Sequence, residues 1–163
     1  MSISSKTQKV DAAKIVLARN WRWVAIAVLV IILLIVVVID STKSSFQTDK
    51  ISINGRQITL LVASTTSQLG TGLGNRDSLP MDEGMLFIFN IPAIQCFWMK
   101  DMHFPIDIIW LNTGKEIVYI QPNVSPKTYP HTYCPSYLSQ YVIELNSGQV
   151  KALKLKDGNL LEF

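Results

Sequence analysis

The sequence predicts a mainly β protein: a single β-sandwich or partly closed barrel with one or two short helices, preceded by one transmembrane helix. Three observations predict it. Beyond residue 50, apolar runs rich in aromatic and β-branched residues recur with turn signals roughly every ten residues, enough for about seven or eight short strands. The stretch Gln95–Leu111 (QCFWMKDMHFPIDIIWL) reads as two strands bent at Pro105, and alternation leaves both faces of each largely apolar. Such strands belong in the middle of a sheet with material packed on each side. Residues 23–39, finally, contain no charge, no Gly and no Pro.

That apolar segment covers roughly 17 positions, or about 25 Å as a helix, the short end for a bilayer core. Trp21 and Trp23 stand where an interfacial aromatic belt would be. A helix buried in a soluble core needs a polar face, and this one has none. A cleaved signal peptide should be followed by a small-x-small site, whereas Asp40-Ser41-Thr42-Lys43 follows here, so an uncleaved anchor is expected. Before it stand Lys6, Lys9, Lys14, Arg19 and Arg22 against the single acid Asp11; the remaining chain has ten basic and eleven acidic residues. The positive-inside rule then places residues 1–22 as a basic cytoplasmic tail and residues 23–39 as a single pass through the cell membrane. Residues 40–49 follow as a polar linker, and 50–163 form the domain outside. The net charge of +3 therefore does not point to nucleic acid, because the basic excess lies wholly in the tail. The lipid bilayer is the expected partner; oligomeric state is not set by the sequence.

In chain order, residues 51–53, Asn54-Gly55 and residues 56–63 predict a β-hairpin, since Asn-Gly supplies the two positive-φ positions of a type I′ turn. Ser64 or Thr65 can cap a short helix over 67–73, ended by Gly72 and Gly74. Residues 75–82 form a polar loop, and 84–89 (GMLFIF) a continuous apolar strand. After the central stretch, Asn112-Thr113-Gly114 turns into a strand over 116–121. Residues 122–136 hold Pro122, Pro126, Pro130 and Pro135 and are expected to be irregular, a long loop of the kind that carries function. Residues 141–145 predict a strand, Asn146-Ser147-Gly148 opens a helical turn reaching Leu155, and 159–163 close the chain as a strand.

Several of these segments together resemble the uncharacterised domain of unknown function 192 family. They are Gly72-Leu73-Gly74-Asn75-Arg76, Leu79-Pro80, Asp82–Phe87 (DEGMLF), Phe97-Trp98-Met99-Lys100, Pro105–Ile109 (PIDII) and Tyr141–Leu145 (YVIEL). The resemblance covers residues 50–163. It implies a sandwich of jelly-roll type, and it brings no established activity or cofactor. The family usually carries larger residues where Gly74 and Asn75 stand.

Lys100 and Asp107 fall inside apolar strands, where a lone charge is costly. Pairing across the 102–105 bend would let them meet, and Arg76 and Glu83 bracket the neighbouring loop. These four residues form either a buried ion-pair network or the polar floor of a ligand pocket. Glu83 with Asp107 as glycosidase carboxylates is selected by no spacing. A nucleophilic Cys96 or Cys134 with His103 or His131 lacks an orienting acid. A soft-metal set of Cys96, Met99, Met102 and His103 has its two methionines on opposite strand faces, so neither metal nor cofactor is expected. The aromatic side chains of Tyr129, Tyr133 and Tyr137 in the proline-rich loop, with His131, offer a lid over the sheet edge or a rim for a glycan or peptide, and Trp98 of the central stretch is a further ligand-binding candidate.

The two cysteines are the only ones in the chain. Outside the cytoplasm such thiols oxidise, and a Cys96–Cys134 bridge would staple the proline-rich loop to the central stretch, worth about 4 kcal/mol on the chain-entropy model. The expected function is a non-catalytic, membrane-anchored extracytoplasmic domain that binds a small ligand or cell-envelope polymer. The alternatives are a protein-interaction module of a membrane or secretion complex and an envelope hydrolase.

Overall fold

The computed structural model describes Trp21, residues 23–35 and residues 46–163, and the chain divides into two units between Ser45 and Phe46. In the first unit residues 23–35 form a helix (α1) whose side chains are all exposed. Among the described residues no helix is long and apolar enough to cross a membrane. The last four positions of the expected anchor lie outside the described residues, as do most of the basic tail and the first half of the linker.

The second unit is mainly β. Gln47–Ile53 (β1) and Arg56–Ala63 (β2) form the predicted hairpin, with φ of 49° at Asn54 and 80° at Gly55 as a type I′ turn requires. β1 starts inside the expected linker. Thr66–Thr71 (α2) opens with a capping box: the Thr65 hydroxyl accepts from the Gln68 amide, and the Thr65 amide donates to Gln68 Oε1. It ends earlier than the predicted 73 because Gly72 leaves the helix at a φ of +54°. Glu83–Ala93 (β3) runs parallel to β2, so α2 and its loop are the crossover between them. Ile106–Leu111 (β5) pairs with Ile117–Val124 (β6), and Ser139–Asn146 (β8) lies between β3 and β5, antiparallel to both. The result is one mixed sheet in the order β1-β2-β3-β8-β5-β6.

All six residues of β5 are buried, as expected of a strand covered on both faces. Phe97–Trp98 (β4) differs from expectation: it leaves the sheet and pairs with Thr132–Tyr133 (β7) as a separate two-stranded ribbon. The second layer of the expected sandwich is thus this ribbon with the α2 loop, not a second large sheet. Residues 122–136 are also more regular than their prolines suggested. β6 continues through Pro122, which an edge strand tolerates because its outward side needs no amide; a 3-10 turn at Pro126–Thr128 and β7 follow. The expected last strand is reduced to one bridge, Glu116 to Leu160, after the short helix Gln149–Ala152 (α3).

Apolar residues pack on both sheet faces. On one, Leu60, Leu86, Ile109 and Ile143 lie under Leu153, Leu155 and Leu161 of the C-terminal segment. On the other, Met85, Phe87, Ile108 and Trp110 lie under Leu73, Leu79 and Met99. This second face carries the site.

Candidate functional site

Register decides which acid meets which environment. Glu144 of β8 stands opposite Met85 of β3 and Ile108 of β5, so it shares a face with Phe87 and Trp110. Asp107 is one step away, opposite Leu145, and leaves the sheet on the other side. Glu144 is 4% exposed, and its Oε2 finds no hydrogen-bond partner among the described residues. Burial pushes its carboxyl up to about 8, so at neutral pH it holds its proton.

Above Glu144 opens a cavity of about 280 Å³. It is lined by Phe87, Phe89, Phe97 and Trp98, the chain from Leu69 to Asn75, and Gln95 and Cys96; Lys100, Asp101 and Met102 complete the lining. The crossover loop can approach the Phe87 ring because Gly72 lacks a side chain, its Cβ otherwise standing 3.2 Å from Phe87 Cζ; Gly74 allows the tight turn of the loop itself, where a Cβ would stand 2.9 Å from the Thr71 carbonyl oxygen. The Asn75 amide donates to the Asp101 carbonyl at 2.7 Å, zipping this loop to the turn after β4. Phe97 pins the ribbon over the sheet by edge contacts with Phe87 at 4.9 Å and Trp110 at 5.9 Å between centroids.

At the mouth, half-exposed Trp98 has Tyr129 against it at 5.9 Å and the Lys100 ammonium over its ring at 5.9 Å. A Cys96–Cys134 disulfide ties β4 to the segment after β7, with Cα atoms 4.3 Å apart. The expected bridge is therefore present, and neither cysteine is a thiolate free for metal or nucleophilic work.

Of the other residues singled out from the sequence, the structure gathers only some. Trp98 and Lys100 line the cavity; Tyr129 touches Trp98, while His131 packs against Tyr133 at 4.7 Å on the ribbon. The Lys100–Asp107 pair does not form. Lys100 is on the surface, and Asp107 is fully buried, accepting from the Asn123 and Val150 amides at 2.8 Å each. Arg76 lies over the Phe46 ring at 5.5 Å, and Glu83 begins β3 with its amide donating to the Pro80 carbonyl. Neither lines the cavity; of the expected four charges only Lys100 does, and Glu144 is the buried acid there. Glu144 went unrecognised although one signal was in view: it is the one acid in the apolar run YVIEL. Among the described residues no group of three His, Cys, Asp or Glu side chains is placed to hold a metal ion.

A family model, DUF192, described as "Uncharacterized ACR", matches residues 49–163. The chain belongs to the DUF192 family. Two solved structures are similar to it. One is a Sinorhizobium meliloti protein provisionally named a transcription regulator, 28% identical, with a TM-score of 0.68 over 74% of this chain and 96% of that one. The other, a Novosphingobium aromaticivorans protein of unknown function, is 25% identical, with a TM-score of 0.67 over 75% of this chain and 89% of that one. No curated protein matches the chain. In this DUF192 domain the cavity lies among the family-like segments themselves: the GLGNR loop, the FWMK strand and turn, and the YVIEL strand.

Proposed function

We propose that the protein is a membrane-anchored extracytoplasmic domain that binds a small ligand, or one unit of a cell-envelope polymer, without transforming it. The observation that carries this reading is the Glu144 carboxyl, buried and half-unpartnered at the base of an aromatic-walled cavity. Leaving such a group without a partner costs stability that packing alone would not select, and the cavity of about 280 Å³ above it lies just under the size range of small-molecule sites. The location is supported by the apolar segment 23–39, the basic residues before it and the Cys96–Cys134 bridge, which suits an oxidising compartment.

The test is a thermal-shift screen of the full-length protein in detergent against sugars, envelope fragments and small organic ions. A true ligand raises Tm for the wild type by mass action and loses most of that rise in Trp98→Ala. A screen in which nothing raises Tm overturns the reading.

One observation favours hydrolysis as the second reading: Asp101 lines the same cavity as the protonated Glu144, which is the pairing a general acid and a companion carboxylate need. Turnover of chromogenic glycosides or esters that disappears in Glu144→Gln would establish it in place of simple binding.

A further inference from the structure

We propose that the ligand of this cavity is a small organic ammonium ion, held by the Glu144 carboxylate and by the aromatic side chains of Phe87, Phe89, Phe97 and Trp98 that line it. The inference rests on the ligand-binding reading above and goes further by setting the charge and chemical class of the ligand.

Glu144 Oε2 is buried with nothing to bond to, and its cross-strand neighbours, Met85 and Ile108, are apolar. The charged groups that share the cavity are Lys100 and Asp101, both on the exposed turn after β4; β3, β5 and the crossover loop contribute none to its lining. Among the described residues Lys100 is the one cation that lines the cavity. An anionic ligand would hold Glu144 in its neutral form and could take only the one hydrogen bond that carboxyl donates. A neutral donor would satisfy one oxygen and gain nothing electrostatic from the walls. A cation gains from both, because aromatic faces attract positive charge through their quadrupole. The Trp98 ring already has the Lys100 ammonium over it at the mouth. A bare metal ion is disfavoured, since hard cations need six or more oxygen ligands and only Glu144 and Asp101 bring carboxyls to the lining. An alkylammonium group needs only one counter-charge and an apolar shell.

Binding then has a balanced proton account. The neutral carboxyl of Glu144 gives its proton to solvent as the cation enters, leaving a carboxylate paired with the ammonium. Affinity should rise with pH until Glu144 is ionised without help; Asp101 and Lys100 stand exposed at the rim.

Titration calorimetry of the full-length protein tests this with tetramethylammonium, choline and ethanolamine, each against its uncharged carbon isostere, such as dimethylbutanol for choline. At least one cation should bind at least tenfold more tightly than its isostere and release about one proton near pH 6.5, read from buffers of different ionisation enthalpy. Its Kd should fall about tenfold per pH unit below about pH 7.5 and level off above about 8. Glu144→Gln should abolish proton release and the pH dependence. Trp98→Ala, at an exposed position, should weaken binding severalfold while leaving proton release intact. Binding of isosteres as tightly as cations, binding without proton release, or no binding by any cation overturns the inference. If a neutral or anionic compound from the thermal-shift screen still binds in a Trp98-dependent way, the ligand-binding reading stands without it; if nothing binds in either experiment, both fall.

Discussion

Asp107 and Glu144 are both buried acids, one register step apart on neighbouring strands, yet their situations are opposite. Asp107 accepts two backbone amides, one at the end of β6 and one in the first turn of α3. It holds the C-terminal segment against the sheet. Asp107→Leu should destabilise the domain by about 3 kcal/mol, because two buried amides lose their acceptor. Lys100→Met should stay within about 0.5 kcal/mol, since Lys100 is a surface residue. Urea denaturation of the two variants checks both; equal large losses would restore the ion pair. Glu144 has the reverse pH behaviour from an ordinary paired carboxylate. Its folded-state pKa of about 8 lies above its ordinary 4.5, so the native state holds a proton that the unfolded chain releases. Its contribution is fully present below about pH 4.5 and is lost as pH rises toward about 8, at up to about 1.4 kcal/mol per unit. Tm measured at about pH 5 and about pH 8 should fall more for the wild type than for Glu144→Gln. An identical fall in both would show that Glu144 is ionised in the folded protein.

Among the elements, the β4–β7 ribbon most needs outside support. Two residues a side cannot hold a hairpin by themselves. The Phe97 ring seated against Phe87 and Trp110 anchors one end, and the Cys96–Cys134 bridge fastens the chain flanking both strands. Replacing both cysteines by Ala should cost up to about 4 kcal/mol, the value for a closed loop of about 39 residues. The loss should appear first in the ribbon, as faster limited proteolysis between β6 and β8 than elsewhere in the domain. Proteolysis unchanged by reduction would mean that Phe97 packing suffices. The crossover loop is built differently: a capping box starts α2, Gly72 lets its end descend onto the Phe87 ring, and Gly74 allows the tight turn of the loop itself. Local chemistry of that kind is readable from sequence, and the hairpin, the α2 cap and the all-buried β5 were all expected. The ribbon was not. Phe97-Trp98 has the same apolar alternation as a central strand, and nothing local says that its partner lies about 35 residues away.

At the scale of the molecule, the predicted arrangement is a tail inside the cell, one pass and a domain outside. Protease added to intact cells should degrade residues 50–163 and spare residues 1–22, detected with tags at the two termini. Loss of the N-terminal tag from outside would overturn that topology and remove the oxidising compartment from the argument. The cavity bears on the same question, since a domain facing the exterior meets small solutes directly.

By itself the sequence determined the mainly β class, the family segments, the hairpin, the helix cap and the pairing of the only two cysteines. These follow from periodicity, turn chemistry and counting, which act over a few residues or leave a single solution. Tertiary structure alone decided the faces. Alternation says that Asp107 and Glu144 stand on definite sides of their strands, but which side is the cavity and which the C-terminal cover depends on strand order and register across residues about 40 apart. That is why the charges thought to meet lie apart, while an acid inside an ordinary-looking strand forms the base of the site.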